Sequence, residues 1–412
     1  MAFPAFPARG AHVVLRDSEG AQKVFFLGAN CQDLRMGKYP AIPLDTVLAT
    51  PYGAILRREA NGKWQRHRHS SGEADTADAE VQENNQHLAQ DNSAQSLTPS
   101  DVRDLKKTCS GDAVVEALAS NSATFASKTK FAKEKYLKKK AQKHVQQVTF
   151  LRPSAMELCE TYYKASRSKV CGLRYDYLSS ILCQADVRSG GRYLVLDCAA
   201  GLVTGAMAQQ LAGVGQVFRV FKGGFPEKGF FELDLSEAEK AAVRPIAVEA
   251  LSSHEPFSTE WLRPASNAEA EEPVAAGRAE ARATRARQRK ADFESLEAQP
   301  VHGLLIVAGE DELDLAMEVL EVCLPRLSPG GRAVLFGQHM QPMAALQGQW
   351  RASGGFVDVR LMQLFTREFQ VLPARTHPFM VSESQLCEGF ILCASKVDNT
   401  GPEEPPAKRV CS

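Results

Sequence analysis

The second half of the chain alternates between short apolar runs and amphipathic segments, which is the pattern of strands and helices taken in turn. Apolar residues spaced three to four apart over 313–324, for example, predict a helix; they are Leu313, Met317, Leu320 and Leu324. Because the two kinds of segment alternate, we predict an α/β domain over 145–395, with a mostly parallel, doubly wound sheet. We assign the strand predicted in VTFLRP to the start of this α/β domain. The other predicted strands lie at 193–196, 216–221, 230–235, 304–308, 356–361 and 390–393, with one more in LSPGGRAVLFG.

The first 60 residues carry short apolar runs separated by turn residues. Runs at 12–15 and 24–27 flank RDSEGAQ, whose Gly and Asp suit a hairpin turn. Pro and Gly punctuate two more short runs before residue 58. This spacing predicts a small β-barrel or β-sandwich over 1–60, and we take the barrel as the expected domain.

Four stretches break these patterns. Residues 61–97 are almost free of apolar side chains and predict a disordered linker, whereas 98–144 is helical and basic, with Ser100 as its expected N-cap. Residues 236–300 are rich in Ala, Glu and Arg and predict a partly disordered insertion in the α/β domain. The tail at 396–412 is expected to be disordered on its composition.

Composition narrows the class of protein only slightly. Lys plus Arg and Asp plus Glu are both 49, so the net charge says nothing about partners. No apolar run approaches the roughly 18 residues that span a bilayer, and MAFPAFPARG lacks the pattern of a signal peptide, so we expect no membrane partner. The ten cysteines form no C-x-x-C pair, which favours a reducing compartment, the cytosol or the nucleus. His67 and His69 have no partner at ligand spacing, so no metal site is expected.

The strongest local charge is a run of lysines in the helical segment. Eight lysines stand between Lys128 and Lys143 against a single acid, Glu134. A solvated helix or a nuclear-import signal would explain such a run. So would contact with nucleic-acid phosphates, whose neutralisation releases counterions and adds affinity for any sequence. The run lies in a segment predicted to be ordered, next to a folded domain, which favours nucleic acid without deciding the matter.

The stretch GGRYLVLDCAAGLVTGAMA, at 190–208, predicts a strand, a tight turn and a helix. This is the outline of a nucleotide-binding βα unit, in which glycines let the backbone approach a ligand at a helix N-terminus. A methyltransferase-type D/E-x-G-x-G-x-G loop would need glycine at Ala199, Gly201 and Val203, and only Gly201 is glycine. Asp197 closes the strand, and we interpret it as a turn residue.

Two further positions expected at this site also lack the residues of a nucleotide-binding enzyme. The second strand ends in Arg219 and Lys222, where a carboxylate would bind the ribose hydroxyls. The fourth strand ends in Val-Ala-Gly, and the acids that follow, Glu310 and Asp311, could instead cap the next helix. Cys198 has no histidine near it in sequence to serve as a base. Three independent losses predict a chain with no catalytic residues and no bound cofactor.

Six segments of the chain carry a resemblance to a known family, namely PYGAILRR, LTPSDVRDLKK, SATFASKTKFAKEKYLKKKAQKH, LRYDYLSSIL, CAAGLVTGAM and FTREFQVLPARTHP. Together they resemble the non-catalytic subunits of the eukaryotic tRNA adenosine-58 N1-methyltransferase. The resemblance implies a degenerate Rossmann-like methyltransferase fold preceded by a small β-barrel, and a nuclear location. It also implies a catalytic partner that holds S-adenosylmethionine, a heterotetramer with two copies of each subunit, and a shared surface for tRNA.

The same resemblance implies a set of RNA-binding residues. For Arg367 and Arg375 an ion pair within or between subunits is an equal alternative. Ala141 and Gln142 interrupt the lysine run that the family usually keeps unbroken. The implied set is Lys135, Lys138, Lys139, Lys140, Lys143, Lys169, Arg174, Arg367, Gln370, Arg375 and His377.

Two other functions stay open at this point. One is an active S-adenosylmethionine-dependent RNA methyltransferase with an atypical cofactor loop, built on Asp197 and Gly201. The other is a scaffold that assembles the complex and uses its lysines for nuclear import. The first would transfer methyl groups alone, and the second would give no crosslinks to tRNA.

Overall fold

The computed structural model divides the chain into two compact units, Met1–Glu157 and Leu158–Ser412. Each unit has its own sheet and its own apolar core, and each is described by itself below. The residues that the structure describes are 5–67, 95–126, 128, 130–223, 227–253, 273–366, 369–370, 379–380 and 388–398.

The N-terminal unit is built on a five-stranded antiparallel sheet in the order β2-β1-β7-β5-β6. Over the described ranges no pairing joins β2 to β6, so the predicted barrel is not confirmed. A short two-stranded ladder of β3 and β4 accompanies it. The strands are β1 (His12–Asp17), β2 (Gln22–Phe26), β3 (Asp33–Leu34), β4 (Ile42–Pro43), β5 (Ile55–Arg58), β6 (Trp64–His67) and β7 (Gln147–Leu151).

Strand β7 corrects the predicted start of the α/β domain. It lies between β1 and β5, where Phe150 pairs with Leu15 and Val148 pairs with Leu56. The alternation that buries Val148 and Phe150 is visible in the sequence, but their pairing partners Leu56 and Leu15 lie far earlier in the chain. The strand therefore completes the N-terminal sheet instead of opening the next one.

Strand β6 corrects the start of the predicted linker. Trp64 is buried in the N-terminal core, and its indole N–H donates to the Ala41 carbonyl at 3.2 Å. His67 ends this strand, while His69 lies outside the described residues.

The helices over 98–144 follow the prediction, whereas α1 (Leu44–Leu48) lies in a stretch that was predicted to form short strands. Helix α2 is capped by Thr98, because Thr98 and Asp101 form a reciprocal capping box, so the expected cap at Ser100 was wrong by two residues. The helices are α1 (Leu44–Leu48), α2 (Pro99–Thr108), α3 (Gly111–Ser120) and α4 (Lys130–His144).

The C-terminal unit contains a seven-stranded sheet in the order β10-β9-β8-β11-β12-β16-β13. Neighbours from β10 to β12 are parallel, and β16 is antiparallel to both strands beside it. The doubly wound, mostly parallel sheet predicted from the sequence is thus confirmed. The strands are β8 (Arg192–Asp197), β9 (Gln216–Phe221), β10 (Val243–Ala247), β11 (Val301–Val307), β12 (Leu327–Gly337), β13 (Phe356–Met362), β14 (Phe369–Gln370), β15 (Phe379–Met380) and β16 (Phe390–Lys396).

Helices cover the sheet and close the core around Phe218, Ile306 and Leu392. Within the described ranges every helix is too short or too polar to span a bilayer. The helices are α5 (Ala155–Ala165, which begins in the N-terminal unit), α6 (Tyr175–Gln184), α7 (Leu202–Leu211), α8 (Lys228–Glu232), α9 (Glu237–Ala241), α10 (Val248–Ser253), α11 (Pro273–Glu297), α12 (Leu313–Cys323) and α13 (Met340–Ser353).

The third strand of the sheet is not the predicted one. Residues 230–235 lie in α8 and the loop after it, whereas the strand is β10, inside the predicted insertion at 236–300. Another part of that stretch is also integral to the fold, because Phe293 and Leu296 of α11 are buried in the main core. Residues 254–272 of the predicted insertion and 399–412 of the predicted tail lie outside the described residues.

Candidate nucleic-acid interface

The turn after β8 is held together by Asp197, whose side chain is only 3% exposed. The Ala199 N–H donates to Oδ1 of Asp197 at 2.9 Å. The Thr204 N–H and hydroxyl donate to Oδ2 at 2.8 and 2.9 Å. The carboxylate therefore satisfies backbone donors of the turn and of the first turn of α7 from within the chain. The interpretation of Asp197 as a turn residue is confirmed.

Helix α8 packs directly against this turn. The Gly229 N–H donates to the Ala200 carbonyl at 2.9 Å. Gly201 has φ +81°, and a Cβ added there would lie 2.9 Å from Cβ of Phe230 and 3.4 Å from Cα of Glu227. The space in front of the one remaining glycine is thus filled by the chain itself. No feature of the sequence indicated this contact, although the glycine in EKGFF permits it.

The side chain of Val203 packs inside the protein. It is fully buried, as are Leu202 and Thr204 beside it. The branched side chain that replaces the loop glycine therefore lies in the core and not in front of the turn. Helix α8, and not Val203, closes the turn.

The basic residues of β9 make internal ion pairs. Arg219 is 5% exposed and pairs with Glu227, at the start of α8. Burial lowers the pKa of Arg219, and the charges of Asp197 and Cys198 act in the opposite direction. Lys222 is exposed and pairs with Glu318 of α12 at 2.7 Å. Arg219 therefore ties β9 to the segment that closes the turn.

At the carboxyl end of β11, Glu312 is the N-cap residue of α12, but its side chain makes no cap hydrogen bond to that helix. Its Oε2 accepts the Gly309 N–H at 3.0 Å, directly before α12. Glu310 instead lies 3.3 Å from Nε2 of His339.

The cysteine at the end of β8 is held in its thiol form. Cys198 accepts a hydrogen bond on its carbonyl from Sγ of Cys171 at 3.3 Å. Burial raises the pKa of Cys198 and raises that of Cys171 to about 12. Neither thiol is a nucleophile near neutral pH, because the thiolate is the reactive form.

Helix α4 carries the predicted lysines and is anchored along one side. Tyr136 donates from its hydroxyl to the Leu118 carbonyl of α3 at 3.2 Å, and its ring lies 5.4 Å from that of Phe125. Lys140 lies over the same ring at 5.3 Å and is half-buried. Burial, and then the charges of Lys143 and Lys139, lower the pKa of Lys140.

The remaining lysines of the set on this helix are exposed. Among the described residues none of them has an acidic partner within 4 Å, so their charges are free to meet an anion. They are Lys135, Lys138, Lys139 and Lys143. A helix fixed by aromatic contacts, with free ammonium groups on its surface, is suited to binding phosphates.

The two candidates of the C-terminal unit before α6 differ from each other. Lys169 is exposed in a short 3-10 turn, Ser168–Val170. Arg174 is 9% exposed and donates to both carboxylate oxygens of Asp176, at 2.8 and 2.6 Å. It also lies over the ring of Tyr177 at 5.0 Å. As an RNA contact Arg174 therefore stays a prediction, and its guanidinium is already paired within the chain.

The last four predicted residues stay predictions. Arg367, Arg375 and His377 lie outside the described residues. Gln370 is in β14, where its backbone pairs with Phe379 of β15.

Comparison with known protein families shows to which family this chain belongs. Residues 8–285, more than half of the chain, match the model of the Gcd10p family. The chain belongs to the Gcd10p family.

Relatives of this Gcd10p-family chain are found in distant eukaryotes. One from Mus musculus is 27% identical, over 89% of this chain and 88% of its own length. One from Dictyostelium discoideum is 28% identical, over 76% of this chain and 64% of its own length. Both are named as tRNA (adenine(58)-N(1))-methyltransferase non-catalytic subunits. The family predicted from the sequence is confirmed.

A solved structure supports the fold of the Gcd10p-family chain. A SAM-dependent O-methyltransferase from Thermotoga maritima superposes with a TM-score of 0.51 at 11% identity, over 97% of each chain. At that identity the likeness concerns the fold alone, and it confirms the methyltransferase-type α/β fold.

Proposed function

We propose that this chain is the non-catalytic, tRNA-binding subunit of a tRNA adenosine-58 N1-methyltransferase complex. A catalytic partner would bind S-adenosylmethionine and form 1-methyladenosine in the T-loop, while this chain would supply part of the tRNA surface. The observation that carries the proposal is the closed turn at Gly201, found in the same chain as a helix of unpaired lysines.

The residues at the turn do not fit S-adenosylmethionine. A cofactor bound here would need open space before the helix and backbone N–H groups free to donate to it. Asp197 accepts the N–H groups of Ala199 and Thr204, and Gly229 donates to Ala200. Phe230 and Glu227 occupy the space in front of Gly201. We therefore derive no chemical step through a cofactor on this chain.

The exposed lysines of α4 suit the phosphate backbone of a folded RNA. Each phosphate that a lysine neutralises releases counterions and adds about 0.7–0.9 to the slope of log affinity against log salt. Such contacts do not depend on sequence, so they would position the tRNA and leave the choice of base to the catalytic partner. Lys140 would act differently from its neighbours, because it packs on Tyr136.

The assembly and its location are further parts of the proposal. The relatives are named as subunits, which supports pairing with a catalytic chain. A heterotetramer with two copies of each subunit and a nuclear location follow from the family resemblance.

Co-expression with the catalytic subunit tests the proposal. We expect native mass measurement to give two copies of each chain, and methylation of tRNA to require both. Calorimetry on this chain alone should give no heat of binding with S-adenosylmethionine. A micromolar isotherm, or methyl transfer by the isolated chain, would instead support an active methyltransferase.

Crosslinking of tRNA to the assembled complex separates the proposal from a scaffold. We expect crosslinked peptides from α4. Crosslinks confined to the catalytic subunit would mean that this chain only assembles the complex.

A further inference from the structure

A polar cavity lies in the N-terminal unit, at the C-terminal end of α4. It forms where that end meets the end of α2, the start of α3 and the turn after β5. Five polar side chains line it, namely Arg58, Glu59, Lys106, His144 and Gln146. Three of these are basic, and Arg58, Lys106 and His144 lie outside the set of RNA contacts implied by the family.

His144 has a ring nitrogen that the protein leaves unused. Its Nδ1 is buried and has no hydrogen-bond partner within the part of the chain that the structure describes. Buried polar atoms are nearly always paired, so an unpaired one at a cavity marks a place for a bound group. Burial and the charges of Lys106, Lys140, Lys143 and Lys38 lower the pKa of His144 to about 4.

The charges that act on this cavity are predominantly positive. Burial, and then Lys143 and Lys38, lower the pKa of Lys106. Lys38 has its own acid, Glu19, at 2.7 Å. Glu59 is exposed on the lining and is not among the charges that shift Lys106 or His144. Like charges gathered around a cavity repel one another, and a bound anion relieves that repulsion.

The remaining geometry favours the same kind of ligand. Arg58 is held at the rim, where Nη1 donates to Oε1 of Gln146 at 3.3 Å and Nε donates to the Gly62 carbonyl at 3.4 Å. Gly111, the first residue of the ten-residue helix α3, also lines the cavity. A Cβ on Gly111 would lie 2.7 Å from Cα of Val145, so glycine lets the positive end of α3 approach the end of α4.

We propose that this cavity binds a phosphate group, with Lys106 and Arg58 as its cationic partners and the imidazole of His144 as a hydrogen-bond donor. The group could be a phosphodiester of the bound RNA or a free inorganic phosphate, since both present the same oxygens. The first source rests on the proposed function and would extend the basic surface of α4 to its last turn. The second does not depend on that function.

Binding of inorganic phosphate to the full-length chain is the direct test. The probe is the His144 ring signal in NMR spectra of protein with 13C-labelled histidine, assigned by its loss in His144→Gln. We expect phosphate, added at constant ionic strength, to shift this signal with saturation, and sodium chloride to leave it unchanged. Because the wild-type chain carries the readout, the result does not depend on how a variant folds.

Two variants assign the contacts. Lys106→Ala should weaken phosphate binding roughly tenfold, because it removes a charge-assisted hydrogen bond. Lys138→Ala is the matched control, because Lys138 is an exposed lysine of α4 that does not line the cavity. Its phosphate affinity should stay within twofold of wild type. A His144 signal that responds equally to phosphate and chloride, or equal effects of the two variants, would overturn the proposal.

Binding of tRNA to the assembled complex separates the two sources. If the source is RNA, Lys106→Ala lowers the salt slope by about 0.7–0.9 and free phosphate competes with tRNA. If it is free phosphate, the same variant leaves tRNA affinity unchanged while phosphate binding is lost. A complex that binds no tRNA at all would refute the proposed function, and the phosphate titration would still decide the cavity.

Discussion

Replacing Asp197 tests whether the turn after β8 is a self-contained structural element. Its carboxylate accepts three hydrogen bonds, two from Thr204 and one from Ala199, at 2.8–2.9 Å. A buried hydrogen bond to a charged group contributes about 1.5–3 kcal/mol, and a buried donor left without a partner costs a similar amount. Asp197→Asn keeps an oxygen for one backbone donor and turns its amide toward another, so we expect a loss of about 2–3 kcal/mol. Asp197→Ala strands all three donors and should cost about 4–5 kcal/mol.

Hydrogen exchange of the backbone amides in α7 measures this loss where it occurs. The two units of the chain need not unfold together, so a local probe is better than a global midpoint. A loss of 2–3 kcal/mol corresponds to exchange that is about 30- to 150-fold faster, at a factor of ten for each 1.4 kcal/mol.

Asp311→Asn is the matched control for this experiment. Asp311 is exposed at the carboxyl end of a neighbouring strand, and no hydrogen bond to its carboxylate is found among the described residues. It should leave exchange in α7 unchanged. If the α7 amides exchange as slowly in Asp197→Ala as in wild type, Asp197 does not stabilise the turn. The same conclusion follows if Asp311→Asn speeds their exchange equally.

Four further predictions follow from the same contacts. Gly201→Ala should cost about 1–3 kcal/mol more than Gly330→Ala in chemical denaturation, because both glycines have positive φ but only Gly201 faces another residue; equal costs would mean that α8 does not press on the turn. The pKa of His144 is lowered from 6.5 to about 4, so the unfolded chain binds a proton more readily and stability falls as pH drops from about 6.5 to 4. His144→Gln should flatten that part of the pH–stability curve, and an unchanged curve would contradict the assignment. Replacing the four exposed lysines of α4 by glutamine should lower the salt slope of tRNA binding by about 3, measured by anisotropy of labelled tRNA. Arg174→Gln should leave that slope unaltered and lower stability instead. A lower slope with unchanged stability would support Arg174 as an RNA contact.

Elements whose signal is local were predicted well. The apolar run at 193–196 is the centre of β8, and the lysine-rich segment is helix α4. Both elements are determined by residues close to one another in sequence, and the periodicity of apolar residues detects such local structure directly.

Elements fixed by distant contacts were not predicted. Strand β7 is assigned by its partners β1 and β5, far away in sequence. Strand β10 contains Pro245, which normally argues against a strand. It is tolerated because β10 is at the edge of the sheet, where a missing N–H costs no ladder bond.

The candidate site likewise combines features that the sequence predicts with features that depend on distant contacts. The loss of glycines was readable, since it needs only residue types at fixed spacing. The closure of the turn by α8 was not, because Gly229 and Phe230 reach Ala200 and Gly201 only in the folded chain. For Arg174, the run LRYD shows a cation two residues from an acid but does not show that the pair is buried.

The closed turn has a consequence for how the domain responds to metabolite supply. A ligand that binds only the folded state stabilises it by RT ln(1 + [L]/Kd), so an ordinary methyltransferase domain gains stability as its methyl donor accumulates. Asp197 and α8 fill that place permanently with parts of the chain. If this domain holds no donor, as we propose, the linkage term is zero and its folding free energy is the same in donor-rich and donor-poor cells. In the proposed complex, the stability of this subunit would then be independent of the methyl-donor supply on which its catalytic partner depends.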